Sequence, residues 1–458
     1  MDIKNSPLPI KKTRIGFHYY PDTLHYRESD LQTWLPELSA LGASWLVLQS
    51  PTNRAIPEFF LRNIIEEGIE PIIQFDLPVY NPPDAASLRS LLNVYARWGT
   101  RAVLWFDRPN ARSSWPAYGW AQDDLVERFL DRYVPLAAAT LEMGMTPVMP
   151  PLEPGGSYWD TAFLRSTLEA LERRNQAQLL QKLVLSAYAW TWGHSLNWGA
   201  GGPARWPDAR PYLEQPTQQD QRGFRVFDWY NTITQAVLGQ TCPILLLGAG
   251  ASRDPFQQAA PAIETEKHQH TIEAITSLLA GEPTVDPCDG TQLDPVPAEV
   301  LACNFWLLAA GSNSPYDTQS WYRDDGSHVQ AVDSMKSWVS KSRKPRARWQ
   351  HSHIHTLEAT KSREPQSGSH PIRHYLLLPT FEFGVADWHL NIIRPYMKKF
   401  RPTVGFSLAE AAMASRVTVL GDAQAIPEEA LDKLRQAGSF VERISGDGTS
   451  IASILAER

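Results

Sequence analysis

Cysteine is scarce in this chain: 458 residues hold only Cys242, Cys288 and Cys303. Odd in number and widely spaced, they offer neither a disulfide framework nor a zinc-ligand pattern. No apolar run reaches the length of a membrane span, so no membrane insertion is expected. The opening Met1-Asp-Ile-Lys-Asn-Ser-Pro7 lacks the apolar core of a secretion signal, which makes a cytoplasmic location the expectation. Positive charge is also short: 43 Lys and Arg against 50 Asp and Glu leave a formal charge of −7. That balance argues against nucleic acid or an anionic membrane surface as the main partner. Familiar chemical motifs are missing as well. There is no Gly-x-Ser-x-Gly elbow, no P-loop and no His-Glu-x-x-His. Gly248-Ala-Gly-Ala-Ser-Arg253 opens like a dinucleotide fingerprint, but its third glycine is absent and Asp254-Pro255 interrupts it. No cofactor and no metal are therefore expected.

Aromatic residues, by contrast, are abundant: 17 Trp, 15 Tyr and 16 Phe, concentrated before residue 340. Such a load serves a large core or, as flat faces, the stacking of sugar rings. From residue 14 onward, short apolar runs alternate with stretches of helical period, the pattern of a parallel sheet with crossover helices. Eight such runs are expected as strands: 15–19, 44–49, 71–76, 101–106, 146–149, 183–188, 243–247 and 300–307. Asp30 suits the N-cap of the first helix, and further helices are expected at 56–67, 85–98, 123–143, 161–174, 228–239 and 330–340. Eight units in one pass predict a (β/α)8 TIM barrel over residues 1–340. The Lys/Arg/Ser/His-rich stretch 341–370 reads as a linker; its His351, His353 and His355 lack a partner carboxylate or cysteine. A small open α/β domain is expected over 371–458, with strands at 374–378, 403–407, 416–420 and 440–444 and helices near 385–399, 408–414, 427–437 and 450–457.

In a barrel of this kind the chemistry lies where strands end in loops at the C-terminal face. The fourth strand ends in Asp107-Arg108-Pro109-Asn110, and the seventh reads Pro243-Ile-Leu-Leu-Leu-Gly-Ala-Gly250; Asn304-Phe-Trp306 closes the eighth. These segments resemble clan A glycoside hydrolases. In that family the fourth strand closes with Asn-Glu-Pro, whose Glu is the general acid/base, and the seventh carries the nucleophilic Glu in Pro-Ile-x-x-Thr-Glu-x-Gly. The resemblance implies a sugar site floored by Trp306 and spans about residues 14–340. It also places Arg108 at the acid position and Gly248 at the nucleophile. A retaining mechanism needs two carboxyl groups roughly 5 to 5.5 Å apart, and an arginine stays protonated at ordinary pH. The expectation is thus a carbohydrate-binding barrel without the standard catalytic pair.

Other carboxylates fall just after strands: Asp22, Asp76, Asp107 and Glu153. Asp107 with Glu153 is the alternative acid/base pair, each also open to a capping role or an ion pair with Arg108. Beside Arg108, Asp107 is expected to stay ionised and to suit a ligand acceptor. The candidate carbohydrate-binding residues are His18, Tyr19, Gln49, Asp76, Trp105, Arg108, Asn110, Tyr158, Trp159, Tyr188, Trp190, Trp192 and Trp306, which combine polar groups for hydroxyls with aromatic faces. The opposing expectation is a barrel mouth plugged by its own side chains, in which case the chain is a scaffold. Should Arg108 point into the cleft, uronates become candidate ligands.

The C-terminal segment 417–446 resembles a bacterial cell-wall-binding repeat, with Gly421-Asp422 where that repeat has a glycine pair. The resemblance implies association with a cell surface; a plain flavodoxin-like layer is the alternative. Nothing in the sequence speaks to oligomeric state.

Overall fold

The structure, a computed structural model, describes residues 6–250, 265–342, 372–445 and 454, apart from 12, 214, 216, 312, 313, 424, 425 and most of 380–401. The linker histidines and most of the helices expected at 385–399 and 450–457 lie outside the described residues. The chain divides into two compact units, residues 1–350 and 351–458.

The first unit is an eight-stranded parallel barrel. Its strands are β1 (Ile15–His18), β2 (Trp45–Gln49), β3 (Glu70–Phe75), β4 (Ala102–Trp105), β5 (Thr146–Val148), β6 (Leu185–Trp190), β7 (Ile244–Gly250) and β8 (Val300–Phe305). They pair in the order β5-β4-β3-β2-β1-β8-β7-β6. A parallel bridge between Val148 and Val184 joins the two ends, with the Met149 N–H donating to the Val184 carbonyl at 2.8 Å. Strand alternation sorts the apolar residues into two sets. Trp45, Val47, Ile72, Leu104, Val148, Leu245 and Leu301 fill the interior, whereas Phe17, Leu46, Leu48, Ile73, Val103 and Trp105 pack outward among the helices. Burying both faces explains why these strands read as unbroken apolar runs.

Gly16 shows how tightly the barrel closes. A Cβ built there would stand 2.2 Å from Asn304 Oδ1, because the Asn304 amide crosses from β8 to donate to the Leu246 carbonyl at 2.8 Å.

The structure differs from the sequence reading in three places. The first helix runs Glu28–Ala40, so Asp30 lies one turn inside it and accepts from the Arg27 N–H at 2.8 Å. A helix at Thr265–Ala280 was not expected; the polar run Thr265-Glu-Lys-His-Gln-His270 masks the buried Ile272, Ile275, Leu278 and Leu279 behind it. Most consequentially, β6 and β7 continue past their expected ends to Trp190 and Gly250.

The second unit is a four-stranded parallel sheet, β9 (Tyr375–Leu377), β10 (Thr403–Gly405), β11 (Arg416–Leu420) and β12 (Phe440–Ile444), ordered β10-β9-β11-β12. The helix Glu428–Gln436 buries Leu431 and Leu434 against Val417 and Val419.

Candidate functional site

A cleft of about 490 Å³ opens at the C-terminal ends of the barrel strands. It is lined by His18 and the Pro21–Thr23 loop after β1, Gln49 and the Ser50–Asn53 loop after β2, and Gln74, Asp76 and Leu77 from β3; Asp107, Arg108, Tyr188, Trp306 and Tyr316 complete it.

Arg108 is its electrostatic centre. The turn that carries it holds Phe106 and Arg108 in the left-handed region, at φ 66° and 44°. Left-handed backbone costs a non-glycine residue of order 1–3 kcal/mol. It is held by the Arg108 N–H donating to the Pro151 carbonyl at 3.0 Å and by Ser114 Oγ donating to the Arg108 carbonyl at 2.8 Å. The buried guanidinium reaches Glu153 Oε2 at 2.7 Å through Nη1 and Asp107 Oδ2 at 3.5 Å through Nε, and lies 4.6 Å from the Tyr188 ring centroid. Tyr188 Oη in turn donates to Asp107 Oδ1 at 2.7 Å. Burial opposes the charge of Arg108, but Tyr188, Asp107 and Glu153 outweigh it and hold the guanidinium above its ordinary value. Burial pushes the Asp107 carboxyl up, against the lowering pull of Arg108 and Tyr188. The sequence reading weighed only the Arg108 charge, whereas desolvation is the larger effect and shifts this carboxyl toward its neutral form.

His18 is buried beneath the cleft, with Nε2 hydrogen-bonded to the Leu247 carbonyl. Burial takes its pKa down to about 4, with the Leu247 bond working the other way, so the ring is neutral at physiological pH. Leu247 is available because the β6–β7 register shifts between Ala187 and Tyr188: Ala187 pairs with Leu246 and Tyr188 with Gly248, which leaves Leu247 as a bulge residue. Trp306 donates from Nε1 to Gln319 Oε1 at 3.0 Å and meets Tyr316 edge-on, with ring centroids 5.8 Å apart; its peptide bond to Leu307 is cis.

At Gly248, which the sequence resemblance aligns with a glycosidase nucleophile, there is no room for a side chain. A Cβ on Gly248 would lie 2.4 Å from Cζ2 of Trp190, whose indole is buried in the barrel interior beside Tyr188. The ring from β6 occupies the space that a β7 carboxylate would need.

Of the residues singled out in the sequence, His18, Gln49, Asp76, Asp107, Arg108, Tyr188 and Trp306 line the cleft together. The others do not line it. Tyr19 and Trp105 point outward by strand alternation: Tyr19 packs on Tyr26 and Phe60, and Trp105 stacks on Phe75 and donates to Thr140 Oγ1 at 3.0 Å. Asn110 is a buried staple, its amide bonded to the Glu153 and Tyr158 carbonyls and to the Glu153 N–H at 2.8–2.9 Å. Tyr158 packs on Phe163, and Trp159 on Tyr212. Trp190 and Trp192 join the barrel-interior cluster. Glu153 takes part through Arg108.

Gln74, Tyr316 and the Ser50–Asn53 turn escaped the sequence reading. Gln74 had a signal: a polar residue two positions before Asp76 in an otherwise apolar strand shares its face. Tyr316 had none, because it comes from a loop beyond β8.

Beside the cleft, Asp160 braces the loop that carries Glu153. It accepts from the Gly155 N–H at 2.9 Å, Gln221 Nε2 at 2.6 Å and Tyr230 Oη at 3.2 Å. Burial raises its carboxyl to about 6 despite these bonds. The folded pKa exceeds the unfolded value of 3.8, so the native state binds this proton more tightly; the associated stability is full below about pH 4 and is lost as pH rises through about 6. Asp160→Asn has no such titration. The unfolding free energy of the native protein, taken relative to that variant, is expected to fall by roughly 3 kcal/mol between about pH 4 and pH 7. Urea denaturation of both proteins across that range measures the difference, and parallel profiles would contradict it.

Among the described residues, no group of three or more His, Cys, Asp or Glu side chains could hold a metal ion, and no helix is long and apolar enough to cross a membrane.

No protein-family model matches the chain, and no curated protein matches it in sequence. Among solved structures the chain is similar to a glucosidase from Croceicoccus marinus, at 13% identity and a TM-score of 0.47, covering 71% of this chain and 65% of that one. It is also similar to a GH39 beta-xylosidase from Caulobacter crescentus, at 10% identity and 0.42, covering 72% of each, and to xylanase 10B from Thermotoga maritima, at 11% and 0.40, covering 72% and 95%. The chain thus spans about 65% of the length of the glucosidase.

Proposed function

We propose that the barrel binds carbohydrate and does not hydrolyse it by the retaining mechanism of the glycosidases that its strand ends resemble. One observation carries this reading: Trp190 fills the space at Gly248 while the cleft above stays open and lined by polar groups and a tryptophan face. Arg108 at the acid position points the same way, since it spends its charge on Asp107 and Glu153 and does not give up its proton at ordinary pH. The open cleft argues against a scaffold whose barrel mouth is plugged. Because Arg108 is already paired with two carboxylates, the cleft is a poor host for uronates.

A panel of neutral, acidic and amine-bearing oligosaccharides, titrated calorimetrically and then incubated for days with reducing-end detection, tests the proposal. Binding without turnover is expected. Trp306→Ala is expected to weaken the best ligand by about tenfold or more, since an aromatic anchor is worth roughly 1–3 kcal/mol. Turnover that Asp107→Asn or Glu153→Gln abolishes would instead make those two the catalytic pair. Absence of binding across the panel would overturn the carbohydrate reading.

A further inference from the structure

The wall formed by β2 and β3 presents polar groups that the fold leaves unused. Asp76 is exposed to the cleft and makes no hydrogen bond or salt bridge among the described residues. This sets it apart from Asp22, which is held by His25 Nδ1 at 2.8 Å, and from Asp107, held by Tyr188. Two residues earlier on the same face, Gln74 is 5% exposed and its Oε1 is buried without a hydrogen-bond partner. A buried amide oxygen left unpaired costs of order 1–3 kcal/mol; Gln74 belongs to the cleft lining, and turning its amide toward the cleft would give that oxygen a ligand donor. Gln49, paired with Gln74 in strand register, also lines the cleft, and its side chain makes no hydrogen bond among the described residues.

The charge balance is equally one-sided. The lining holds the carboxylates of Asp22, Asp76 and Asp107 against one guanidinium, that of Arg108, which is already bound to Asp107 and Glu153. The Asp76 carboxyl is raised by its burial among protein walls and by the charge of Asp107, with Arg108 only partly offsetting them. A cation placed beside Asp76 would relieve that repulsion. Three strands round the barrel, Trp306 and Tyr316 supply aromatic faces that take either a sugar C–H face or a positive charge.

We infer that the cleft selects a sugar carrying a free protonated amine, an amino-hexose unit of a de-N-acetylated glycan, with its ammonium between Asp76 and Gln74 Oε1 and its ring against Trp306. This deepens the carbohydrate reading above and rests on it. An ammonium supplies three donors and a positive charge, matching the two unused acceptors; an N-acetyl group supplies one donor and no charge.

Calorimetry with β-1,4-linked glucosamine oligomers and their fully N-acetylated counterparts of equal length tests the inference, at about pH 6 and about 0.15 M salt. The amine form is expected to bind about tenfold tighter, a difference of about 1.4 kcal/mol. Asp76→Asn is expected to remove that preference by weakening the amine form far more than the acetylated one. A melting temperature no lower than that of the native protein serves as the folding control, since the Asp76 side chain makes no hydrogen bond or ion pair among the described residues. Equal binding of the two oligomers would overturn this inference and leave the carbohydrate reading standing. Spermine binding as tight as the amine oligomer, with the same sensitivity to Asp76→Asn, would reduce the site to a cation trap and overturn it as well. Binding of neither oligomer nor of any neutral glycan would overturn the underlying reading itself.

Discussion

Gly248→Glu, the substitution that places a carboxylate on β7 where the resemblance to retaining glycosidases would have one, is expected to unfold the barrel. The new Cβ would stand 2.4 Å from Trp190 Cζ2 and 2.8 Å from its Cε2, and β7 is buried along its whole length. Trp190 cannot give way readily, because the indole is itself packed among Tyr188, Leu247 and Leu245 in the barrel interior. Overpacking alone costs about 1–3 kcal/mol, and a carboxylate buried without a partner adds several more. Together these approach the whole stability of an ordinary domain. Gly248→Ala isolates the steric part and is expected to lose about 1–3 kcal/mol. The companion Trp190→Ala opens a cavity and is expected to cost about 3–5 kcal/mol alone. In combination the two changes should cost clearly less than their sum, since one removes the atoms that the other strikes. Urea denaturation of the two single variants and the double variant measures the coupling. Additive losses would mean that Trp190 does not occupy the nucleophile's space.

Arg108→Met is the second large effect, with an expected loss of about 3–5 kcal/mol. The guanidinium is the shared partner of Asp107 and Glu153, whose side chains are 19% and 21% exposed. Removing it takes the guanidinium away from two largely buried carboxylates. Asp107, already raised by burial, loses the Arg108 attraction that holds it down. Its folded pKa then rises further above the unfolded value, so the variant is expected to be least impaired in acid and to lose stability progressively as pH increases. Adding Glu153→Gln should recover part of the loss at neutral pH. Arg108→Lys should recover only part as well, because one ammonium cannot reproduce the guanidinium's contacts with Glu153, Asp107 and the Tyr188 ring. Thermal melts at about pH 5 and about pH 8 provide the check, and a pH-independent loss would show that packing rather than charge carries the effect.

Both predictions concern positions that the sequence marked by what was missing from them. The alignment of strand ends placed Arg108 and Gly248 where a retaining glycosidase needs carboxylates, and motif reading could go no further. It could not show that Trp190 stands over Gly248, because it ended β6 at Tyr188 and β7 at Leu247. The strands run on to Trp190 and Gly250, and the bulge at Leu247 brings Trp190 and Gly248 into contact. Nor could it sort the aromatic residues. Tyr19, Trp105 and His18 all sit at strand ends, but alternation turns the first two outward to the helices and only His18 toward the cleft.

The order of the strands, the eight-fold alternation and the small α/β layer at the C-terminus were determined by local sequence, because hydrophobic period and strand length are local properties that need no partner to be read. So was the candidacy of Asp76, Asp107 and Arg108, since polar residues that end a buried strand of a barrel have one face to occupy. Tertiary structure alone decided which of these groups are already satisfied. Arg108 is claimed by Asp107 and Glu153, and Asn110 by the backbone of the neighbouring loop, while Asp76 makes no hydrogen bond or ion pair among the described residues and Gln74 Oε1 is buried without a partner. Pairing depends on which residues distant in sequence meet when the barrel closes, and that is a property of the closed barrel and of no single strand.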